Sequence, residues 1–321
     1  MFSRREFLRS ASLFGAGFAL AKPLVASEKI FTNIKANFDE SLSVFFSDVH
    51  VRGGNSYQRQ YFLEIVADVM RMDPLPRNVV VFGDLAFLCG IKTDYEETYK
   101  VFKPMMDLGI KVTVGMGNHD RRSTFLETYE GYDKRLLVPG KIVSVASDKN
   151  ADILMLDGLQ GKDERGEKDM GPVSGKLDPV QIEWIKAELP KWPRKVFVGS
   201  HFPIHELKVD QKTSLARFMM ENCPNVKGYI HGHDHRWYER WSTCGWGKRA
   251  IMRSVCLPST GHWGDIGYTT FRTTPEKATL SLKMKDFFFP RPLKEGEKRP
   301  AIWDQFIKER SGTPPREFAL T

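Results

Sequence analysis

Short apolar runs and amphipathic stretches alternate along most of this chain. Leu42–Ser47, Asn78–Phe82, Lys111–Gly115, Ile142–Ala146, Ile153–Leu156, Lys195–Gly199 and Val226–Ile230 are apolar runs of strand length. Tyr57–Met72, Tyr95–Leu108, Pro179–Glu188 and Leu215–Glu221 instead carry apolar residues at helical spacing. Buried strands alternating with helices predict parallel crossover units, with helices covering the sheet. After residue 236 the pattern changes. Trp237–Ser242, Arg249–Val255, Tyr268–Arg272 and Ala278–Lys283 are short β-like runs with no helix between them. That predicts a second sheet packed on the first. Phe287–Thr321, rich in proline and mixed charge, is expected to wrap the surface or pack Phe287–Phe289 and Trp303 against the core.

Five polar clusters fall where these runs stop. They are Ser47-Asp48-Val49-His50, Gly83-Asp84-Leu85, Gly117-Asn118-His119-Asp120, Ser200-His201-Phe202-Pro203 and His231-Gly232-His233-Asp234-His235. In an open α/β sheet the carboxyl ends of the strands line the ligand crevice, so clusters distant in sequence can converge. Asp48 and His50 are two apart, as are His233 and His235. In extended backbone such pairs project to one side and can clasp one ion. Asp84 has two carboxylate oxygens and can bridge two ions. Gly83, Gly117 and Gly232 let the backbone pass close to a metal or phosphate. Mixed Asp, Asn and His donors suit Mn, Fe or Zn better than Ca or structural Mg. The chain holds eight histidines, and His50, His119, His201, His233 and His235 all fall in these positions.

Together and in this order, DxH…GD…GNHD…H…GHxH, the clusters resemble the calcineurin-like metallophosphoesterase superfamily, over roughly residues 42–285. The resemblance implies an α/β four-layer αββα sandwich, two mixed β-sheets flanked by helices, with a dinuclear metal site at the strand ends. It implies Asp48, His50 and His235 on one metal, Asp84 bridging, and Asn118, His201 and His233 on the other. The implied cofactors are two divalent or mixed-valence ions, Mn, Fe or Zn. His119 matches the leaving-group acid, and Asp120 the residue that orients it. The implied reaction is hydrolysis of a phosphomonoester or phosphodiester by in-line attack of a metal-bridging hydroxide. The alternative is a non-catalytic protein that keeps the fold and binds a phosphorylated ligand. No metal ligand or acid is missing from the pattern, which favours the enzyme.

Departures from relatives narrow the picture. Purple acid phosphatases, a branch of the same superfamily, place a tyrosine three residues after the bridging aspartate. This chain has Phe87 there, and it carries His50, which they lack. Tyrosinate–iron chemistry is therefore not expected, and the pattern is closer to bacterial class III cyclic-nucleotide phosphodiesterases. Substrate choice is expected to lie in loops 52–56, 121–140, 158–176, 202–212 and 259–267. Within them Arg52, His205, His262 and Trp263 are candidate substrate contacts. A solvated Arg52 and a turn with a packed Trp263 are the plainer alternatives. Arg121 and Arg122 read as surface charges at a helix entry. His231 is expected to be structural, pointing away from the ligands.

Composition adds limits. With 41% hydrophobic and 27% charged residues, the chain is globular, not disordered, collagenous or a coiled coil. Ser3-Arg4-Arg5-Glu6-Phe7-Leu8, a Gly-interrupted apolar stretch to Ala21 and small residues to Ala26 resemble a twin-arginine signal peptide. The reading implies cleavage after Ala21 or near Ala26, with the twin-arginine export machinery as a partner and a periplasmic or secreted destination. Residues 27–285 would then be the phosphoesterase domain and 286–321 an extension packed on it. The apolar stretch is too short for a stable membrane anchor. Losing residues 1–26 removes Arg4, Arg5, Arg9, Lys22 and Glu6, so part of the net +8 belongs to the signal. No polybasic stripe remains, and the expected partner is a small phosphate ester, not nucleic acid. Cys89, Cys223, Cys244 and Cys256 permit disulfides in an oxidising compartment. Spacing selects none of the pairings, and Cys244–Cys256, on neighbouring strand-like segments, is favoured. There is no CxxC element, so a cysteine zinc site is not expected.

Overall fold

A computed structural model describes residues 36–160, 172–243 and 251–321. The twin-arginine stretch, Cys244 and the middle of the 158–176 loop lie outside the described residues. The crossover units form as expected. β1 (Phe38–Phe46), α1 (Tyr57–Met70), β2 (Leu75–Phe82), α2 (Lys92–Asp107) and β3 (Lys111–Gly115) alternate, and the three strands pair in parallel. Next come α3 (Arg122–Thr128), β4 (Ser144–Ser147), β5 (Asp152–Met155), α4 (Pro179–Glu188), β6 (Val196–Ser200), α5 (Leu215–Asn222) and β7 (Val226–His231). The chain closes with β8 (Tyr238–Thr243), β9 (Ile251–Cys256), β10 (Gly264–Thr273), β11 (Lys277–Phe288), α6 (Ala301–Ser311) and β12 (Arg316–Ala319). Side-chain caps start three of these helices. Ser56 accepts from the Arg59 N–H, Asp178 from Gln181 and Ser214 from Arg217.

Two six-stranded sheets result, ordered β12-β11-β10-β1-β2-β3 and β4-β5-β6-β7-β9-β8. Strand alternation explains the four layers. Val44, Phe46, Val79 and Val81 face a core with Phe62, Val66 and Phe102 of α1 and α2. Phe45, Val80 and Phe82, on the opposite face, meet Ile153, Met155, Phe197 and Ile230 of the other sheet. Leu154, Val196 and Val198 then turn outward to Ile185 and Leu215 of α4 and α5. Strands buried on both faces must be apolar at every position, which is why these runs show no alternation. The αββα sandwich expected from the sequence is the fold observed.

Three details differ from expectation. The late strands do not build the second sheet alone: β8 and β9 extend it, while β10–β12 return to flank β1. Phe271, Leu280 and Phe318 then fill the seam between the sheets, and that burial recruits the late strands. The C-terminal residues are also more than a surface wrap. β11 runs past residue 285 to Phe288, and β12 pairs with it as the edge strand. Finally, Cys256 carries a thiol, so the favoured Cys244–Cys256 disulfide is not formed. The hairpin register places Cys256 opposite Tyr238 and closes on Thr243↔Ile251, five positions away. Among the described residues no helix is long and apolar enough to cross a membrane.

Candidate metal centre

The ends of β1, β2 and β3 in one sheet and of β6 and β7 in the other meet at a common edge. Backbone bonds stitch the loops together: Asp48 N–H to the Gly83 carbonyl at 3.1 Å, Gly232 N–H to His201 at 3.1 Å and Thr260 N–H to Ser47 at 2.7 Å. The crevice thus draws on both sheets. Donor atoms of Asp48, His50 and His235 lie within 4.8 Å of one another, as do those of Asp84, His201 and His233. His119 joins Asp84 and His50 in a third such group. Asn118 is buried in the turn whose His119 N–H donates to Asp84 Oδ1 at 2.9 Å.

Backbone conformation explains the convergence. Among the described residues, positive φ outside glycine occurs at Asp48 (51°), His50 (46°), Asp84 (49°), His233 (75°) and His235 (54°). Every one is an expected ligand. The paired ligands are therefore not presented from extended backbone. Left-handed turns aim them, at a cost of about 1–3 kcal/mol each that the surrounding packing must offset.

The imidazoles are fixed by carbonyls. His50 Nδ1 lies 3.2 Å from the Phe87 oxygen, His235 Nδ1 3.0 Å from that of Trp263 and His201 Nδ1 2.9 Å from that of Phe82. A carbonyl only accepts, so in the neutral rings Nδ1 carries the proton and Nε2 offers its lone pair inward. His50 Nε2 and His235 Nε2 then face each other at 3.3 Å, and His201 Nε2 faces His233 Nδ1 at 3.1 Å. Asp48 Oδ1 is 3.1 Å from His235 Nε2, and Asp84 Oδ2 is 3.2 Å from His201 Nε2 and 3.5 Å from His50 Nε2. Donors sharing one ion at ~2.0–2.2 Å stand about 3–3.6 Å apart, so these spacings fit metal ligation.

The electrostatics point the same way. Burial alone would raise Asp48, but His235 and His201 overcome it and hold the carboxyl well below its usual range. Burial likewise opposes ionisation of Asp84, and His201, His119 and His50 prevail. His201 is desolvated too, yet Asp84 and Asp48 pull it up to about 9. Two anionic carboxylates in a dry pocket demand positive charge, and this donor set accommodates divalent ions.

The structure reassigns Asp120. It does not orient His119: the His119 Nδ1 is buried with no hydrogen-bond partner. Asp120 instead accepts the N–H groups of Gly117 (2.9 Å), Leu85 and Ala86 (both 3.1 Å) and the Tyr95 hydroxyl (3.0 Å). Burial and Asp84 push its carboxyl up to about 6. It ties the Asp84 loop to the Asn118 turn. Tyr95, which also accepts the Arg121 N–H at 2.7 Å, gave no sequence signal beyond an apolar helix position.

Of the candidate substrate contacts, His262 joins the centre. Its ring lies 4.5 Å from His50 and 5.5 Å from His235. Its Nδ1 is 3.0 Å from the Tyr57 hydroxyl and 3.4 Å from Gln58 Nε2. Tyr57 and Gln58 escaped the sequence reading because they look like any first turn of a helix. Trp263 packs at 4.3 Å on His235 and 5.2 Å from Phe289, a brace for a ligand. Arg52 is exposed, its guanidinium 5.3 Å over the Phe87 ring. His205 is exposed on a short turn and, among the described residues, makes no ring or hydrogen-bond contact with the ligand set.

Glycine is required where the loops touch. A Cβ on Gly117 would stand 2.1 Å from Asp84 Oδ1 and 2.7 Å from its backbone nitrogen. Gly117→Ala is expected to destabilise the fold by about 1–3 kcal/mol and displace Asp84. Thermal melting and metal content should therefore fall together, and unchanged values in both would refute the contact.

A family model described as calcineurin-like phosphoesterase matches residues 43–237. No curated protein matches the sequence significantly. Among solved structures, a dimetal phosphatase from Danio rerio has a TM-score of 0.54 at 15% identity, over 75% of this chain and 95% of that one. A structure described as PhoD has a TM-score of 0.48 at 11% identity, over 77% of this chain and 65% of that one. At 15% identity the likeness to the first of these speaks for the fold. With the family match spanning all five clusters but the last strands, the chain belongs to the calcineurin-like phosphoesterase family, hydrolases of phosphoric ester bonds with a dinuclear metal site.

Proposed function

We propose that this protein is an exported phosphoesterase that hydrolyses a phosphomonoester or phosphodiester directly, with His119 as the leaving-group acid. The observation that carries the reading is the convergence of a full ligand set, with three imidazoles locked by carbonyls and their Nε2 atoms turned toward Asp48 and Asp84. Two divalent ions held there would supply an activated water and neutralise phosphoryl charge. Asp48 and Asp84 hold the negative charge that binds them. His119 keeps 18% of its side chain exposed, with Nε2 3.9 Å from Asp84 Oδ2, at the open side of the cluster. From there it donates a proton to the departing oxygen, limiting alkoxide charge. His262, held by Tyr57 and Gln58, and Arg52 at the rim contact the phosphate ester. The Arg4-Arg5 stretch supports export through the twin-arginine route, which carries folded protein.

The direct test is the protein without residues 1–26, loaded with Mn, Fe or Zn and assayed on p-nitrophenyl phosphate and its bis ester. Turnover of either supports hydrolysis. Metal-loaded protein that turns over neither and binds phosphorylated ligands would establish the binder instead. His119→Ala should keep its metals and lose about 10²–10⁴-fold in kcat on esters with poor leaving groups. The loss should shrink on p-nitrophenyl esters, whose leaving oxygen needs little protonation. Loss of metal in this variant would make His119 a ligand. Replacing Arg4 and Arg5 with Lys should retain the protein in the cytoplasm, as fractionation would report.

A further inference from the structure

On the helix-covered face of the second sheet, three neighbouring strands set a histidine, a cysteine and a tyrosine in one row. His231 ends β7 and pairs with Cys256 at the end of β9, which pairs with Tyr238 at the start of β8. Paired residues on adjacent strands share a face. Ile230 and Val255, one position earlier, point into the seam between the sheets, so His231 and Cys256 point away from it. Asp234, in the turn between β7 and β8, accepts a hydrogen bond from the Tyr238 hydroxyl. Donor atoms of His231, Asp234 and Cys256 lie within 4.8 Å of one another. Cys256 and His231 are buried, whereas Asp234 and Tyr238 partly reach solvent and leave a path inward.

We propose that His231, Asp234 and Cys256 form a further metal site, separate from the dinuclear centre, that takes a zinc-like borderline ion. The donor chemistry is one imidazole, one carboxylate and one sulfur, a set that prefers Zn, Co or Fe over Mg, Mn or Ca. His231 Nδ1 lies 2.8 Å from the Gly232 carbonyl, so its proton is on that nitrogen and Nε2 is the ligand atom. A backbone carbonyl behind the ring is how metal-bound histidines are held. Burial pushes the Cys256 thiol well up, and the backbone N–H groups of Asp234 and Arg236 offset this only in part. The thiol donates to the Gly232 carbonyl at 3.4 Å, so the ion itself must drive the proton off. On binding, the Cys256 S–H bond breaks, the sulfur–metal bond forms and the proton leaves to solvent. Tyr238 or a water completes the coordination. The segment His231–His235 thereby serves two sites, His233 and His235 facing the dinuclear centre and His231 and Asp234 the other. Spacing could not reveal this site, because its sulfur comes from another strand and no CxxC is involved.

The test is cobalt loading of the protein, with metal content and near-ultraviolet absorption measured together. No cysteine lies in the dinuclear centre, so a thiolate-to-cobalt charge-transfer band reports only a site with sulfur. The expected result is that band, with one ion more per chain than the dinuclear centre holds. Cys256→Ser should abolish the band and lose that ion, while Cys223→Ser keeps both. Asp84→Asn should keep the band while its dinuclear centre falls below full occupancy. If Cys256→Ser folds poorly, Asp234→Asn at its partly exposed position should raise the cobalt needed for half-maximal absorption by at least about tenfold. No band on the cobalt-loaded protein, or a band that survives Cys256→Ser, would overturn the assignment.

Discussion

Asp84→Ala is expected to empty the dinuclear centre and stop turnover together. The Asp84 carboxylate lies close to the Nε2 atoms of ligands in both halves, His50 at 3.5 Å and His201 at 3.2 Å. Each half otherwise holds donors of its own, Asp48 with His235 and His201 with His233. Removing the bridge leaves two incomplete sets and one anion fewer to balance two dications. Several kcal/mol of transition-state stabilisation go with the metals, so kcat/KM should fall by at least about 10³-fold. Asp84→Asn is the sharper variant. It keeps the shape and can still accept the His119 N–H, which now donates at 2.9 Å, but it loses the charge and one bridging oxygen. Elemental analysis should find less than full occupancy in both variants, with the thermal melting of metal-free protein little changed. Full occupancy with two ions in Asp84→Asn would remove Asp84 from the bridging role.

How much of this was legible in the sequence depends on what each residue type is constrained by. The ligands were legible because strands end where polarity begins, and Asp48, Asp84, His201 and His233 follow apolar runs directly. The layers were legible in outline, since a strand packed on two faces has no polar positions. The way the ligands converge was not. Left-handed backbone at Asp48, His50 and His235 leaves no mark in residue type when the residue is not glycine. Sheet membership of β10–β12 was equally hidden, because it depends on which inner face lacks Phe271 and Phe318, not on local pattern. Arg122 shows the same blindness to partners. It reads as a helix-entry charge, yet it is 7% exposed and forked onto Asp157 at 2.6 and 2.8 Å. Asp157 lies far along the chain in a strand-end loop, and nothing local announces the pair.

Asp120→Ala is expected to act on the fold, not on the acid. The Asp120 carboxylate gathers three backbone N–H groups and the Tyr95 hydroxyl in a site with no solvent exposure. Removing it strands those donors in a dry interior, each at about 1–3 kcal/mol. Partial relaxation leaves a net destabilisation of roughly 3–5 kcal/mol, seen as a melting shift on the order of 10 °C. Tyr95→Phe, which deletes one donor of the knot, should lose only about 1–2 kcal/mol. Because the knot joins the Asp84 loop to the Asn118 turn, metal affinity should weaken alongside stability in Asp120→Ala. Had Asp120 worked by orienting His119, the variant would keep its melting temperature and lose kcat, and that loss would vanish in a His119→Ala background. The double variant decides between them: the melting loss from Asp120→Ala should be the same with or without His119, because His119 Nδ1 makes no hydrogen bond to Asp120.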